Sequence, residues 1–262
     1  MKYIDLLICL LICAVSNAGT IDPSVPDAKY VEYGSKHECV LPIMGSFNDE
    51  HNSIFKGSCV VIDEYYVLTA AHILYESKNQ YVIFNNKKYQ CLVVAIHSDF
   101  KHNKTGLYDI AMVRMAEPIK LNFYPELYTD SDEKGKICGM AGYGFTGNFR
   151  TGFRYENFDH KKRGGSNIIE DIQDHVLVFS VHKTPSTKLE FLIAPGDSGG
   201  GLFIDKKLAG IHSYIYAVDG KTDADYGDTG CSTRISQYVD WINKTKIILE
   251  TVIEAINVKK RM

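Results

Sequence analysis

Three short strings combine residue types that can carry out acyl transfer. Leu68-Thr69-Ala70-Ala71-His72 ends on an imidazole, Leu107-Tyr108-Asp109-Ile110-Ala111-Met112-Val113 sets a carboxylate among apolar neighbours, and Pro195-Gly196-Asp197-Ser198-Gly199-Gly200-Gly201 places a serine among glycines. A serine hydroxyl is a weak nucleophile at neutral pH and needs an adjacent base. His72 would take the Ser198 proton and later deliver it to the leaving amine. Asp109 would hold the imidazole tautomer and stabilise the imidazolium, an effect strengthened by apolar surroundings. The glycines let the backbone turn sharply, so that the amides of Gly196 and Ser198 can face a developing oxyanion. A Gly-Asp-Ser-Gly-Gly string arises by chance in a chain of this length roughly four times in ten thousand.

The elements that must position these residues are short strands. Runs such as residues 58–62, 66–68, 81–84, 92–96, 110–115, 176–180 and 208–213 are separated by turn residues, the pattern of an all-β barrel or sandwich. From residue 238 to 259 the period turns helical, with Trp241, Thr245, Ile248, Val252 and Ala255 or Ile256 three or four apart. Lys259, Lys260 and Arg261 complement the dipole at its C-terminal end. This reads as an amphipathic helix docked on the strands.

The chain has 262 residues, a net charge of −3, 45% hydrophobic and 23% charged residues, and suits one large domain or two small ones. These values exclude a collagen, a coiled coil, a wholly disordered chain and a polytopic membrane protein. The absence of a basic excess argues against nucleic acid as a partner. Residues 1–18 read as a secretion signal: Lys2, an apolar run over 6–15, and small residues at 16 and 18 before a cut after Ala18. No later stretch is long and apolar enough to span a bilayer. Residues 19–29 read as a leader. Five cysteines follow the signal (Cys39, Cys59, Cys91, Cys138 and Cys231), and secretion leads one to expect disulfides, although the odd count leaves one thiol over. Asn103 and Asn243 begin glycosylation triplets. Residues 149–167 form a basic segment with Lys161, Lys162 and Arg163, an exposed face that would suit a polyanion. Asp223, Asp225 and Asp228 lack a complete calcium-loop spacing, so neither metal nor cofactor is expected.

The three strings and their order, His72, Asp109, Ser198, resemble the catalytic motifs of the trypsin/chymotrypsin family of serine endopeptidases, over residues 30–241. The resemblance implies two six-stranded antiparallel β-barrels, over about residues 30–125 and 126–240, in a peptidase domain of residues 30–245. Protein or peptide would be the substrate, protein inhibitors would be partners, and a monomer is the expected form. Ser213 resembles the serine that supports the triad aspartate, and Ser213-Tyr214 the strand that pairs with substrate backbone. Asp197 resembles the residue that pairs with a newly cut N-terminus, here Tyr30 after a cut at Lys29. Leu192, Ile193, His212, Ile215 and Gly230 fall at pocket positions. Leu192 stands where a tryptic pocket has an aspartate, so a small aliphatic side chain is expected, or an acidic one if His212 supplies a cation. Several family cysteines are replaced: Gly57 and Ile73 stand at one bridge, Ile204 faces Cys138 in another, and Ala194 in a third. Tyr30 standing where the cut N-terminus of the family usually has Ile, and the sparse disulfides, also fit a second reading, a catalytically silent homologue acting as a secreted binding module.

Overall fold

The computed structural model describes residues 19–47, 53–102, 106–156 and 159–261. The expected signal over residues 1–18 and the triplet at Asn103 lie outside them, and Asn243 is exposed on the terminal helix. The described chain opens with β1 (Gly19–Ile21) and α1 (Asp27–Ser35). Six strands follow, β2 (Val40–Phe47), β3 (Ile54–Val61), β4 (Tyr66–Thr69), β5 (Ser77–Phe84), β6 (Lys87–Ile96) and β7 (Ala111–Met115), with the one-turn helix α2 (Ala71–Leu74) after β4. They close into an antiparallel barrel in the order β2-β3-β4-β7-β6-β5. Its interior is filled by fully buried Val40, Ile43, Val60, Leu68, Val82 and Met112. These branched and long apolar side chains suit a pleated, enclosed surface.

The second half holds β8 (Ile137–Gly142), β9 (Thr146–Asn148), β10 (Gly152–Arg154), β11 (Arg163–Ile168), β12 (Asp171–Gln173), β13 (Val176–Ser180), β14 (Phe191–Leu192), β15 (Gly201–Ile204), β16 (Lys207–Tyr216) and β17 (Thr229–Arg234). Seven of them form one sheet in the order β11-β8-β15-β16-β17-β13-β12, and a four-stranded sheet runs β10-β9-β1-β14. The all-β architecture of two halves with a terminal helix is as expected, but only the first half closes as a six-stranded barrel. The second stays open, and the short β14 pairs with β1 in the smaller sheet.

Residues 19–29, expected as a leader, are packed onto the domain: β1 is wholly buried, and α1, which begins at Asp27, packs Tyr30 and Gly34 inward. The terminal helix α3 runs Val239–Arg261 and buries Ile242, Thr245, Leu249 and Ile253. The expected face is rotated by about one residue, since Ile248 is 60% exposed and Val252 38%. Both stripes are apolar with helical spacing, so periodicity alone does not choose between them. The choice comes from the first barrel, whose Tyr66 hydroxyl donates to Glu250 at 2.6 Å and whose core takes in Ile242 and Leu249.

Candidate active site

His72 sits on α2, where β4 ends and the chain turns across the open end of the barrel. Asp109 precedes β7, which pairs with β4 from Thr69↔Ala111. Adjacent strand ends therefore bring the two together. Asp109 Oδ1 accepts the His72 backbone N–H at 2.9 Å, and Oδ2 lies 2.8 Å from His72 Nδ1. The Ser213 hydroxyl, on β16, donates to the same Oδ2 at 2.5 Å. Burial works against the Asp109 charge, but the ring, the hydroxyl and the amide outweigh it and hold the carboxyl below its ordinary range. With Nδ1 on the carboxylate, Nε2 is the ring nitrogen left to act as base.

Ser198 lies between β14 and β15, half-buried, and its hydroxyl donates to the Ser213 carbonyl at 3.4 Å. Among the described residues no hydrogen bond joins it to His72. Ser213 thus touches both parts of the site, through its hydroxyl to Asp109 and its carbonyl to Ser198. The N–H groups of Gly196 and Ser198 donate to no protein group among the described residues, which leaves both amides available to a ligand oxygen. Gly196 has φ +93°, a left-handed conformation, and a Cβ there would sit 3.0 Å from the Gly144 Cα.

Ser58 of β3 escaped the sequence reading. Its N–H donates to the Ser198 carbonyl at 2.9 Å, its hydroxyl donates to the Gly196 carbonyl at 2.9 Å, and it accepts the Tyr143 N–H at 2.9 Å. One side chain of the first barrel therefore orients the serine loop of the second half. The only signal was a serine opening an apolar strand run, Ser58-Cys59-Val60-Val61.

Asp197 is fully buried, and its two oxygens accept the N–H groups of Gly144 and Ala194, each at 2.8 Å. Burial pushes its carboxyl up to about 7 despite these bonds. The structure does not bring Tyr30 to it. Tyr30 is inside α1, and its hydroxyl accepts the Asp22 N–H at 3.2 Å. In this uncut chain Tyr30 has no free amine, and Asp197 is held by the two amides instead.

Beside Ser198 lies a cavity of about 180 Å³ lined by Ile193, Ala194, Pro195, Ser213, Tyr214, Ile215 and Thr222. Of the expected pocket residues, Ile193 and Ile215 line it, whereas Leu192, His212 and Gly230 lie behind it. A Cβ on Gly230 would sit 2.3 Å from the Phe179 ring and 3.0 Å from Leu192 Cδ1, so these side chains fill the base. His212 is fully buried, with Nδ1 3.0 Å from the Ser232 hydroxyl. Burial, aided by His37, drives its pKa down to about 3, so it offers no cation to an acidic side chain. A wider groove of about 690 Å³ runs from Gly57 and Tyr143 past Lys56, Leu41, Met44 and Lys162.

The remaining expectations fare differently. All five cysteines are free thiols, so the expected disulfides are not formed. The lost bridges are replaced by packing: a Cβ on Gly57 would lie 2.7 Å from Ile73 Cδ1, and Cys138 and Ile204 share the second core. The basic segment is only partly an open face. Arg163 is fully buried between Asp27 and Asp159 at 2.7 and 2.8 Å, and Lys162 donates to the carbonyls of His37 and Val40. Two of its cations are thus spent in docking α1 and β2, while Arg150, Arg154 and Lys161 remain exposed. The carboxylates of Asp223, Asp225 and Asp228 lie within 4.8 Å of one another, a convergence their spacing did not suggest. Asp228 accepts the Ala224 N–H at 2.8 Å. Among the described residues no helix is long and apolar enough to cross a membrane.

A closed barrel and a curled sheet, with His72 and Asp109 on one and Ser198 on the other, define a chymotrypsin-like fold. The chain belongs to the trypsin family, whose family model matches residues 33–242. A segment of 63 residues is 40% identical to the trypsin Tyr p 3.0101 of Tyrophagus putrescentiae. That match covers 24% of this chain and 20% of the relative's length. Mouse neuropsin, a serine protease expressed in the limbic system of the brain, superposes with a TM-score of 0.64 at 19% identity, over 81% of this chain and 96% of its own. HL collagenase superposes with a TM-score of 0.63 at 17% identity, over 88% and 98%.

Proposed function

We propose that this chain is a secreted serine endopeptidase that cleaves after small aliphatic residues through Ser198, His72 and Asp109. The observation that carries this reading is the convergence on Ser213, which touches Asp109 with its hydroxyl and Ser198 with its carbonyl. A rotation about the Ser198 Cα–Cβ bond would move its hydroxyl from that carbonyl toward His72, and such contacts often tighten only with substrate present. Ser198 then attacks the scissile carbonyl as His72 takes its proton. The oxyanion settles on the amides of Gly196 and Ser198. His72 returns the proton to the leaving amine, and water releases the acyl group by the same path in reverse. Substrate backbone adds as a strand along Ser213 and Tyr214 at the end of β16.

The filled base at Phe179 and Leu192 supports a short side chain before the scissile bond, and the neutral, buried His212 removes support for an acidic one. Cleavage of a peptide library therefore shows Ala or Val at that position and excludes Arg, Lys and Phe. The silent binding module draws on one observation, the Ser198 hydroxyl turned to Ser213. Labelling by a fluorophosphonate probe decides between the two: the protein is labelled and Ser198→Ala is not. Absence of labelling in the intact chain would favour the binding module.

A further inference from the structure

We propose that β1 is a backbone clamp that holds the loops around the candidate cavity in place, so that losing residues 19–21 switches the protein off. The activity part of this rests on the peptidase reading. All three residues of β1 are buried. On one side Thr20 and Ile21 pair antiparallel with Leu192 and Phe191 of β14, and on the other Gly19, Thr20 and Ile21 pair parallel with Thr146, Gly147 and Asn148 of β9. The Thr20 hydroxyl donates to the Ala224 carbonyl at 2.6 Å, and the Ile21 carbonyl accepts the Phe149 N–H at 3.1 Å. Three segments far apart in sequence thus meet on three residues. Gly19 has φ +60°, and a Cβ there would sit 2.3 Å from the Phe191 ring, so the strand lies flat against it.

Each clamped segment leads into the site. β14 is an edge whose strand partner is β1, and it runs directly into Ile193, Ala194 and Pro195 of the cavity wall. The segment before β9 is tied to the same wall, since Phe145 N–H donates to the Pro195 carbonyl at 2.7 Å and Asp197 bridges the amides of Gly144 and Ala194. Ala224 lies two residues beyond Thr222, which also lines the cavity. The clamp uses backbone groups and one hydroxyl, and no free amine. A cut after Lys29, which is exposed on α1, would sever β1 from the rest of the chain and lower activity rather than raise it.

The test compares three proteins: one starting at Gly19, one starting at Asp22, and Thr20→Val. The chain from Asp22 keeps Asp27 for Arg163. Hydrogen exchange at residues 146–149 and 191–194 is read against β3 and β7, together with the rate of fluorophosphonate labelling. In the chain from Asp22 those two segments lose protection while β3 and β7 keep theirs, and labelling slows on the order of 100-fold. A peptide matching residues 19–22, added in trans, restores both, and a scrambled peptide does not. Thr20→Val slows labelling about 10-fold by leaving a buried carbonyl without its donor. Acetylating the amine of the chain from Gly19 changes nothing. Unchanged protection in the chain from Asp22, equal loss of protection in β3 and β7, or dependence on the free amine would each overturn the proposal. If the chain from Gly19 is not labelled at all, the peptidase reading fails and hydrogen exchange alone decides the clamp.

Discussion

Asp197 is a buried carboxylate held by two amides, with burial outweighing these bonds and the pull of Arg163, and this sets a pH dependence. Burial raises it to about 7 in the folded chain, whereas the unfolded chain releases the same proton near the ordinary value of about 3.9. Between those values the folded state holds more protons than the unfolded one. Stability therefore falls as pH rises from about 4 to about 7, by an amount on the order of 4 kcal/mol, and levels off above. Urea unfolding of the wild type and Asp197→Asn across that range checks this: the wild type loses stability relative to the variant, and parallel profiles would refute it. At the residue scale the candidate positions were legible. His72, Asp109 and Ser198 stand out because acyl transfer demands those types, and the structure joins His72 to Asp109 and both Asp109 and Ser198 to Ser213. Ser58 and His212 were not legible, because the role of each depends on what faces it. Ser58 reaches the serine loop from the other half, and His212, at a pocket position, is turned into the core.

Among the elements, α3 offers the sharpest contrast. Leu249 is buried against the first barrel and Ile248, its neighbour, is 60% exposed. Leu249→Ala lowers the unfolding free energy by about 2–5 kcal/mol, as cavities in packed cores do. Ile248→Ala stays within about 0.5 kcal/mol, as expected for a surface site. Equal losses in urea titrations would mean that the helix docks on the other stripe. The period identified the helix and nearly its boundaries, since 3.6-residue spacing is local. Its orientation depends on Tyr66 and the barrel core, nearly two hundred residues earlier in the chain. The same holds for residues 149–167. Their charge was visible in sequence, but their pairing with Asp27 and with the carbonyls of His37 and Val40 required the docking of α1 and β2.

At the scale of the whole molecule, two cores and the packing between them carry the stability without covalent ties. Val60, Leu68, Met112 and Ile211 lie in one apolar cluster, and Met140, Phe179, Phe191 and Leu202 in the other. All five described cysteines are thiols, four of them buried. The melting temperature is therefore unchanged by reductant, and a thiol reagent titrates all five after unfolding. A fall of several degrees on reduction would mean that pairs form, since losing a disulfide typically costs about 2–5 kcal/mol.

The sequence by itself determined the chemistry on offer, the all-β class and the terminal helix, because reactive side-chain types and hydrophobic periods are written locally. Tertiary structure alone decided that residues 19–21 are a strand of the domain, that Asp197 is satisfied by amides, that the base of the cavity is filled and that the thiols are unpaired. Each of these depends on which distant backbone or side chain fills the space opposite, and that is set by packing, which no local pattern encodes.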